Sequence, residues 1–279
     1  MSDSHQDTRE EIMPETNASG WTIHFENRGE EDAQPLLMVL GLSHRLAHWG
    51  RLPALLAERF FVVTFDCRGI GQSEQRDMRY SIDDEVGDMA AVLDAVGLDK
   101  VTLYGRSRGG ALVQAFTLAY PERVQRLILS GTSHFGPKHV GQSEEVAKAM
   151  NFTRDMTREE IFTIQNVAMS SPGWRERDPE AFNACLATDL EAPPRRFAVV
   201  NQQVALTGWS SDEALSQIRC PTLVICGEDD GMVPPENSRQ LAGGIPNAKF
   251  ELIAQCGHLP MLEQPDIVAR LVTGFIDRT

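Results

Sequence analysis

The chain has 279 residues, 42% hydrophobic and 24% charged, with a formal net charge of −14 from 40 acidic and 26 basic residues. That length suits one large domain, or one domain with an insertion, and is enough to bury a core without disulfides or metals. The acidic balance argues against nucleic acid or an anionic membrane as the main partner, no run approaches the ~18 apolar residues of a membrane span, and five scattered cysteines without C-x-x-C or Cys/His metal spacing read as reduced thiols of a cytoplasmic protein.

Residues 1–18 are polar and acidic, lack the basic start and apolar core of a signal peptide, and read as a flexible tail. Residues 21–26 alternate and predict a half-exposed strand, antiparallel at a sheet edge, with His24 on its surface. Residues 36–40 are continuously apolar, as expected of a central parallel strand, and a helix over 49–58 follows with Leu52, Leu55 and Leu56 on one face. Residues 60–65 form a second buried strand that runs into the loop Asp66–Ser73, whose two glycines lack the rest of a phosphate-binding pattern. Ser81 caps a helix with Asp83, Asp84 and Glu85 in its first turn and a buried stripe of Val86, Met89, Ala90, Leu93 and Val96, ended by Gly97. A strand over 101–104, a helix over 111–119 buried nearly all round, and a strand over 124–130 come next.

From His134 to Ser211 strand signals nearly vanish, and helical stretches near 144–150, 158–169, 179–190 and 195–206 are separated by Ser171-Pro172-Gly173 and Pro193-Pro194. The alternation then resumes with a strand over 222–226, a helix over 235–241, a strand over 250–254 and a helix over 265–275. This pattern predicts an α/β fold, a mostly parallel doubly wound sheet of about eight strands, with an all-helical cap insertion. The domain reading is a tail over 1–18, a core over 19–133 and 212–279, and a helical cap or lid over 134–211. Phe152, Phe162, Trp174, Phe182, Phe197 and Trp209 in or beside that lid would serve equally as pocket wall or as lid core.

Chemistry concentrates at the strand ends. Gly105-Arg106-Ser107-Arg108-Gly109 lies between a predicted strand and a predicted helix, the context of a nucleophile elbow, where the glycines leave room for backbone to pass close to backbone. A serine hydroxyl needs a base within hydrogen-bond reach and an acceptor that fixes the base's tautomer. Of seven histidines, His258 alone follows a strand downstream of an acid at a strand end; His134 and His44 are the alternatives. For the acid, Glu228, Asp229 and Asp230 are adjacent, and periodicity does not choose among them.

From about Trp21 onward the chain resembles the α/β-hydrolase superfamily: the elbow, Gly227-Glu228-Asp229-Asp230 with Val233-Pro234, Gly257-His258 with Glu263 and Pro265, and Asp66-x-Arg68-Gly69-x-Gly71-x-Ser73 occur in the family's order. The resemblance points to Asp230 as the acid and implies a catalytic set of Ser107, Asp230 and His258, with an oxyanion hole from the backbone N–H groups of Leu42 and Arg108. Two features depart from the family. Leu40-Gly41 stands where its members usually carry His-Gly, which leaves the Leu42 position open by one residue, and arginines flank Ser107. Arg106 and Arg108 would either hold an anionic substrate or turn away and pair with nearby acids. The expected activity is hydrolysis of a small-molecule ester, thioester or lactone through an acyl-enzyme, with no metal and no cofactor required; the alternatives are a carbon–carbon-cleaving or other non-hydrolytic member of the fold and a ligand-binding receptor with a vestigial triad.

Overall fold

A computed structural model describes residues 14–153 and 155–279. Eight strands, β1 (Glu15–Ala18), β2 (Trp21–Arg28), β3 (Gln34–Val39), β4 (Phe60–Phe65), β5 (Val101–Arg106), β6 (Val124–Ser130), β7 (Thr222–Gly227) and β8 (Ala248–Ile253), form one sheet in the order β1-β2-β4-β3-β5-β6-β7-β8. Strand β2 is antiparallel to both its neighbours, and every pairing from β4 to β8 is parallel. The continuous apolar runs of β3 to β7 are the reason: a strand covered on both faces needs no polar alternation.

Successive residues of these strands feed two separate cores. Leu37, Val39, Val63, Leu103, Leu127 and Val224 face one side, where α2 (Ile82–Ala95), α3 (Arg108–Ala119) and α9 (Pro235–Gly244) pack through Met89, Phe116 and Leu241. Leu36, Met38, Val62, Tyr104, Ile128 and Ile225 face the other, against Leu52 and Leu56 of α1 (Leu52–Ala57) and Val268, Val272 and Phe275 of α11 (Pro265–Ile276). The sheet is thus doubly wound, as its alternating sequence predicts. Helix α2 starts as expected: the Asp84 N–H donates to the Ser81 hydroxyl at 3.2 Å, and Gly97 beyond its end has φ +70°.

Between β6 and β7 the described residues contain helices and no strand: α4 (Glu144–Ala149), α5 (Arg158–Met169), α6 (Trp174–Arg177), α7 (Pro179–Glu191) and α8 (Arg196–Leu206). The short α10 (Pro260–Glu263) precedes α11.

The amino-terminal edge corrects the sequence reading. Residues 1–13 of the expected tail lie outside the described residues, but Glu15–Ala18 are paired. Ala18 pairs with Trp21 across Ser19 (φ +50°) and Gly20 (φ +83°), a two-residue turn whose left-handed conformations match the twist of a tight hairpin. Strand β2 is therefore not the edge, and His24, expected at the surface, is fully buried, its N–H donating to the Ser73 hydroxyl at 2.9 Å and its Nε2 lying 3.3 Å from Gln72 of the loop after β4.

Candidate active site

The strand β5 delivers Ser107 into a turn that only a few side chains tolerate. Ser107 has φ +54° and ψ −123°, a strained backbone held from both sides. Its N–H donates to the Ser130 carbonyl at 2.9 Å, and the Thr132 hydroxyl donates to the Ser107 carbonyl at 2.7 Å. A Cβ at Gly105 would overlap Val113 and the Gly109 carbonyl, and one at Gly109 would overlap the carbonyls of Val39 and Leu40. Those two positions must be glycine for α3 to start against β3 and β5.

The turn lifts the hydroxyl toward His258. Ser107 Oγ lies 3.1 Å from His258 Nε2, and His258 Nδ1 lies 2.8 Å from Asp230 Oδ2. The other Asp230 oxygen accepts the N–H groups of Met232 (3.0 Å) and Val233 (2.8 Å), so the carboxylate stays aimed at the ring. With Asp230 as acceptor, Nδ1 carries the proton and the Nε2 lone pair faces the serine. His258 and Asp230 are each 2% exposed. Burial pushes the His258 imidazole below the ordinary histidine range; the Asp230 carboxylate opposes this and the Arg106 charge adds to it. The loop is further fixed by His258 N–H donating to the Met169 carbonyl of α5 at 2.6 Å and by Gly257 N–H donating to Glu263 at 2.9 Å.

Glu228 and Asp229, the acids that periodicity did not separate from Asp230, are exposed. Of the alternative bases, His134 receives the Gly136 N–H at 2.9 Å and lies 2.8 Å from Gln240, away from the serine. His44 lies 3.1 Å from an Arg106 nitrogen and stacks on His48 at 4.4 Å between centroids. Neither the Leu42 nor the Arg108 backbone N–H has an acceptor among the described residues, and Arg108 is the first residue of α3, where helical N–H groups are free by construction.

The flanking arginines diverge. Arg108 turns away, its guanidinium bonded to both carboxylate oxygens of Glu85 and its Nε donating to the Gln202 carbonyl of α8 at 3.0 Å, all buried. The anionic-substrate role considered for Arg108 is therefore dropped: its fork is already filled by a carboxylate. Arg106 is also buried but meets no carboxylate within ion-pair distance among the described residues. Sequence reasoning missed Gln202, whose Oε1 accepts the Ser43 N–H at 2.8 Å, and Met169; both reach the site from the helices between β6 and β7, and their sequence positions carry no signal of it. Among the aromatic residues, Trp174 and Phe182 are core, packed edge to face at 5.4 Å, whereas Phe152 and Phe162 line a cleft of about 1150 Å³ between α5 and α8. No group of three or more His, Cys, Asp or Glu side chains able to hold a metal occurs among the described residues, and no described helix is long and apolar enough to cross a membrane.

The family model described as the alpha/beta hydrolase family matches residues 36–271. The chain belongs to the α/β-hydrolase family. Within it, the chain is 29% identical over 267 residues to the 2-hydroxy-6-oxo-2,4-heptadienoate hydrolase of Pseudomonas putida, covering 87% of this chain and 88% of that one. It superposes on an esterase from Rhodococcus sp. ECU1013 with a TM-score of 0.81 at 25% identity, covering 95% and 98% of the two chains. The enol-lactonase of Burkholderia xenovorans LB400 shares the fold at a TM-score of 0.80 and 22% identity, covering 95% of this chain and all of the other. These relatives are hydrolases.

Proposed function

We propose that this α/β-hydrolase cleaves a small-molecule carboxylic ester, thioester or lactone with Ser107 as nucleophile, His258 as general base and acid, and Asp230 as the orienting carboxylate. One observation carries the reading: a serine held at φ +54°, 3.1 Å from a buried imidazole that is itself 2.8 Å from a buried carboxylate. Ser107 Oγ attacks the carbonyl as His258 Nε2 takes its proton, and Asp230 stabilises the imidazolium. The tetrahedral oxyanion receives the Leu42 and Arg108 N–H groups. His258 returns the proton to the leaving oxygen or sulfur, and the same steps with water as nucleophile release the acid.

Residues 134–211 act as a cap in this reading. Gln202 touches the loop after β3, Met169 touches the loop after β8, the Ser171 hydroxyl donates to Glu263 of α10 at 2.6 Å, and the Ser143 N–H donates to the Gly231 carbonyl after β7 at 2.8 Å, so the helices gather over the carboxyl ends of the strands.

A second reading is hydrolysis of a carbon–carbon bond next to a ketone. The Pseudomonas relative supports it, since the 2-hydroxy-6-oxo-2,4-heptadienoate of its name contains no ester or amide for a hydrolase to cut. A panel of p-nitrophenyl esters, lactones and 6-oxo-dienoates, run beside Ser107→Ala, separates the two. Turnover of esters or lactones alone supports the first reading, and turnover of dienoates alone replaces it with the second. Turnover that survives in Ser107→Ala removes both.

A further inference from the structure

We propose that Arg106 is a positioning residue, whose buried guanidinium clamps the loop of the base to the loop of the oxyanion donor and sets a fixed positive charge beside His258. The inference rests on the serine-hydrolase reading. Arg106 closes β5, one residue before the nucleophile, and is 2% exposed. Its Nη2 donates to the His258 carbonyl at 2.6 Å, and its Nη1 lies 3.1 Å from Nδ1 of His44, on the loop after β3. Arginine has no acceptor to offer, so His44 Nδ1 accepts and its proton sits on Nε2. A Cβ on Gly41 would come to 2.9 Å from the Ser107 Cβ and 3.1 Å from Nη1, so the guanidinium lies directly against the strand end that leads to Leu42. One rigid fork therefore holds the two loops that flank the serine.

A neutral side chain could make those two bonds, and the charge is costly where it is. No carboxylate lies within ion-pair distance of Arg106 among the described residues and its Nε has no partner, so the more distant Asp230 and Glu263 charges offset only part of the cost of taking the cation out of water. Burial pushes the guanidinium down to about 10, which still leaves it a cation at neutral pH. What the charge supplies is a field at the imidazole. The groups that face His258 are Asp230 after β7, Arg106 at the end of β5, His44 after β3 and Glu263 in α10 through Gly257. His44 is driven well below the ordinary histidine range by burial, with the neighbouring histidines and Arg106 adding to it, and is neutral. Asp230 favours the imidazolium; Arg106 is the cation that opposes it and keeps the resting base free to accept the serine proton.

The test needs no knowledge of the natural substrate. The second-order rate of inactivation of the full chain by phenylmethanesulfonyl fluoride is measured against pH for wild type, Arg106→Met, Arg106→Lys and Ser107→Ala, with thermal melting as the check on folding. Its acid limb reports the base of the free enzyme. Removing the positive charge lets His258 protonate more readily, so Arg106→Met should move the limb to higher pH and lower the plateau by about 10²-fold through misplaced loops. Arg106→Lys should keep the limb at the wild-type pH while losing part of the plateau. A limb unmoved in Arg106→Met, or moved equally in Arg106→Lys, overturns the proposal. If Arg106→Met does not fold, Arg106→Lys alone decides: a moved limb or a wild-type plateau refutes it. Modification that persists in Ser107→Ala would instead sink the serine reading, a result distinct from either.

Discussion

Arg108→Ala isolates a buried ion pair from the backbone N–H of the same residue, the proposed oxyanion donor. Glu85 of α2 is 2% exposed, and both its oxygens are bonded to the Arg108 guanidinium, whose Nε also serves the Gln202 carbonyl. Truncation leaves a carboxylate buried without a partner, which costs about 3–5 kcal/mol, a large share of the roughly 5–15 kcal/mol that holds a domain folded. At roughly 2–4 °C per kcal/mol for a chain of this size, the melting temperature should fall by about 6–20 °C. The backbone N–H survives, so the folded enzyme should keep its turnover, and any change should be the same for neutral and acidic esters. Replacing both partners, as Arg108→Met with Glu85→Leu, should recover most of the stability, because the cost lies in the orphaned charge. The assay is urea or thermal unfolding of wild type and the two variants beside ester kinetics. A melting temperature within about 2 °C of wild type, together with a KM raised only for acidic esters, would refute the assignment and return Arg108 to the substrate.

Ser107→Ala should fold normally and lose about 10⁶-fold in turnover, whereas Asp230→Asn should lose about 10⁴-fold, both read by steady-state kinetics on an activated ester. His44→Gln should gain stability relative to wild type as pH falls from 7.5 to 5.5 in denaturant melts (about two units across the ordinary histidine range). The folded imidazole lies below the unfolded value of 6.5, so the unfolded chain takes the proton first and the wild type loses stability as pH falls below that value. Gly109→Ala should destabilise by at least about 1–3 kcal/mol through overlap with the Val39 and Leu40 carbonyls. Gly87→Ala, with open space around a Cβ in the middle of α2, should instead stabilise by the roughly 0.5–1 kcal/mol that separates glycine from alanine in a helix, read as a higher melting temperature.

The apolar runs of β3 to β7 and the strand–turn–helix context of Ser107 were legible because each depends on neighbours within a few residues. His258 was legible from its place after the last strand. Asp230 was not separable from Glu228 and Asp229 by pattern, and needed the family resemblance; in the structure the two neighbours face solvent while Asp230 is buried. His24 was misread because what covers it, Gln72 and Ser73 of the loop after β4, lies far along the chain, and the pairing of Glu15–Ala18 that makes β2 an inner strand turns on the left-handed conformations of Ser19 and Gly20. The fates of Arg106 and Arg108 were open for a similar reason. What each meets lies far away in sequence, Glu85 and Gln202 for one, His44 and His258 for the other, and side-chain direction at the elbow decides between them.

The proposed reaction passes through an acyl group on Ser107. Wild-type enzyme mixed with excess p-nitrophenyl acetate and quenched in acid within the first turnover should gain one acetyl group by intact mass, located by peptide mapping on Ser107, with a matching burst of p-nitrophenolate. An adduct on another residue, or turnover without any adduct and undiminished in Ser107→Ala, would contradict it.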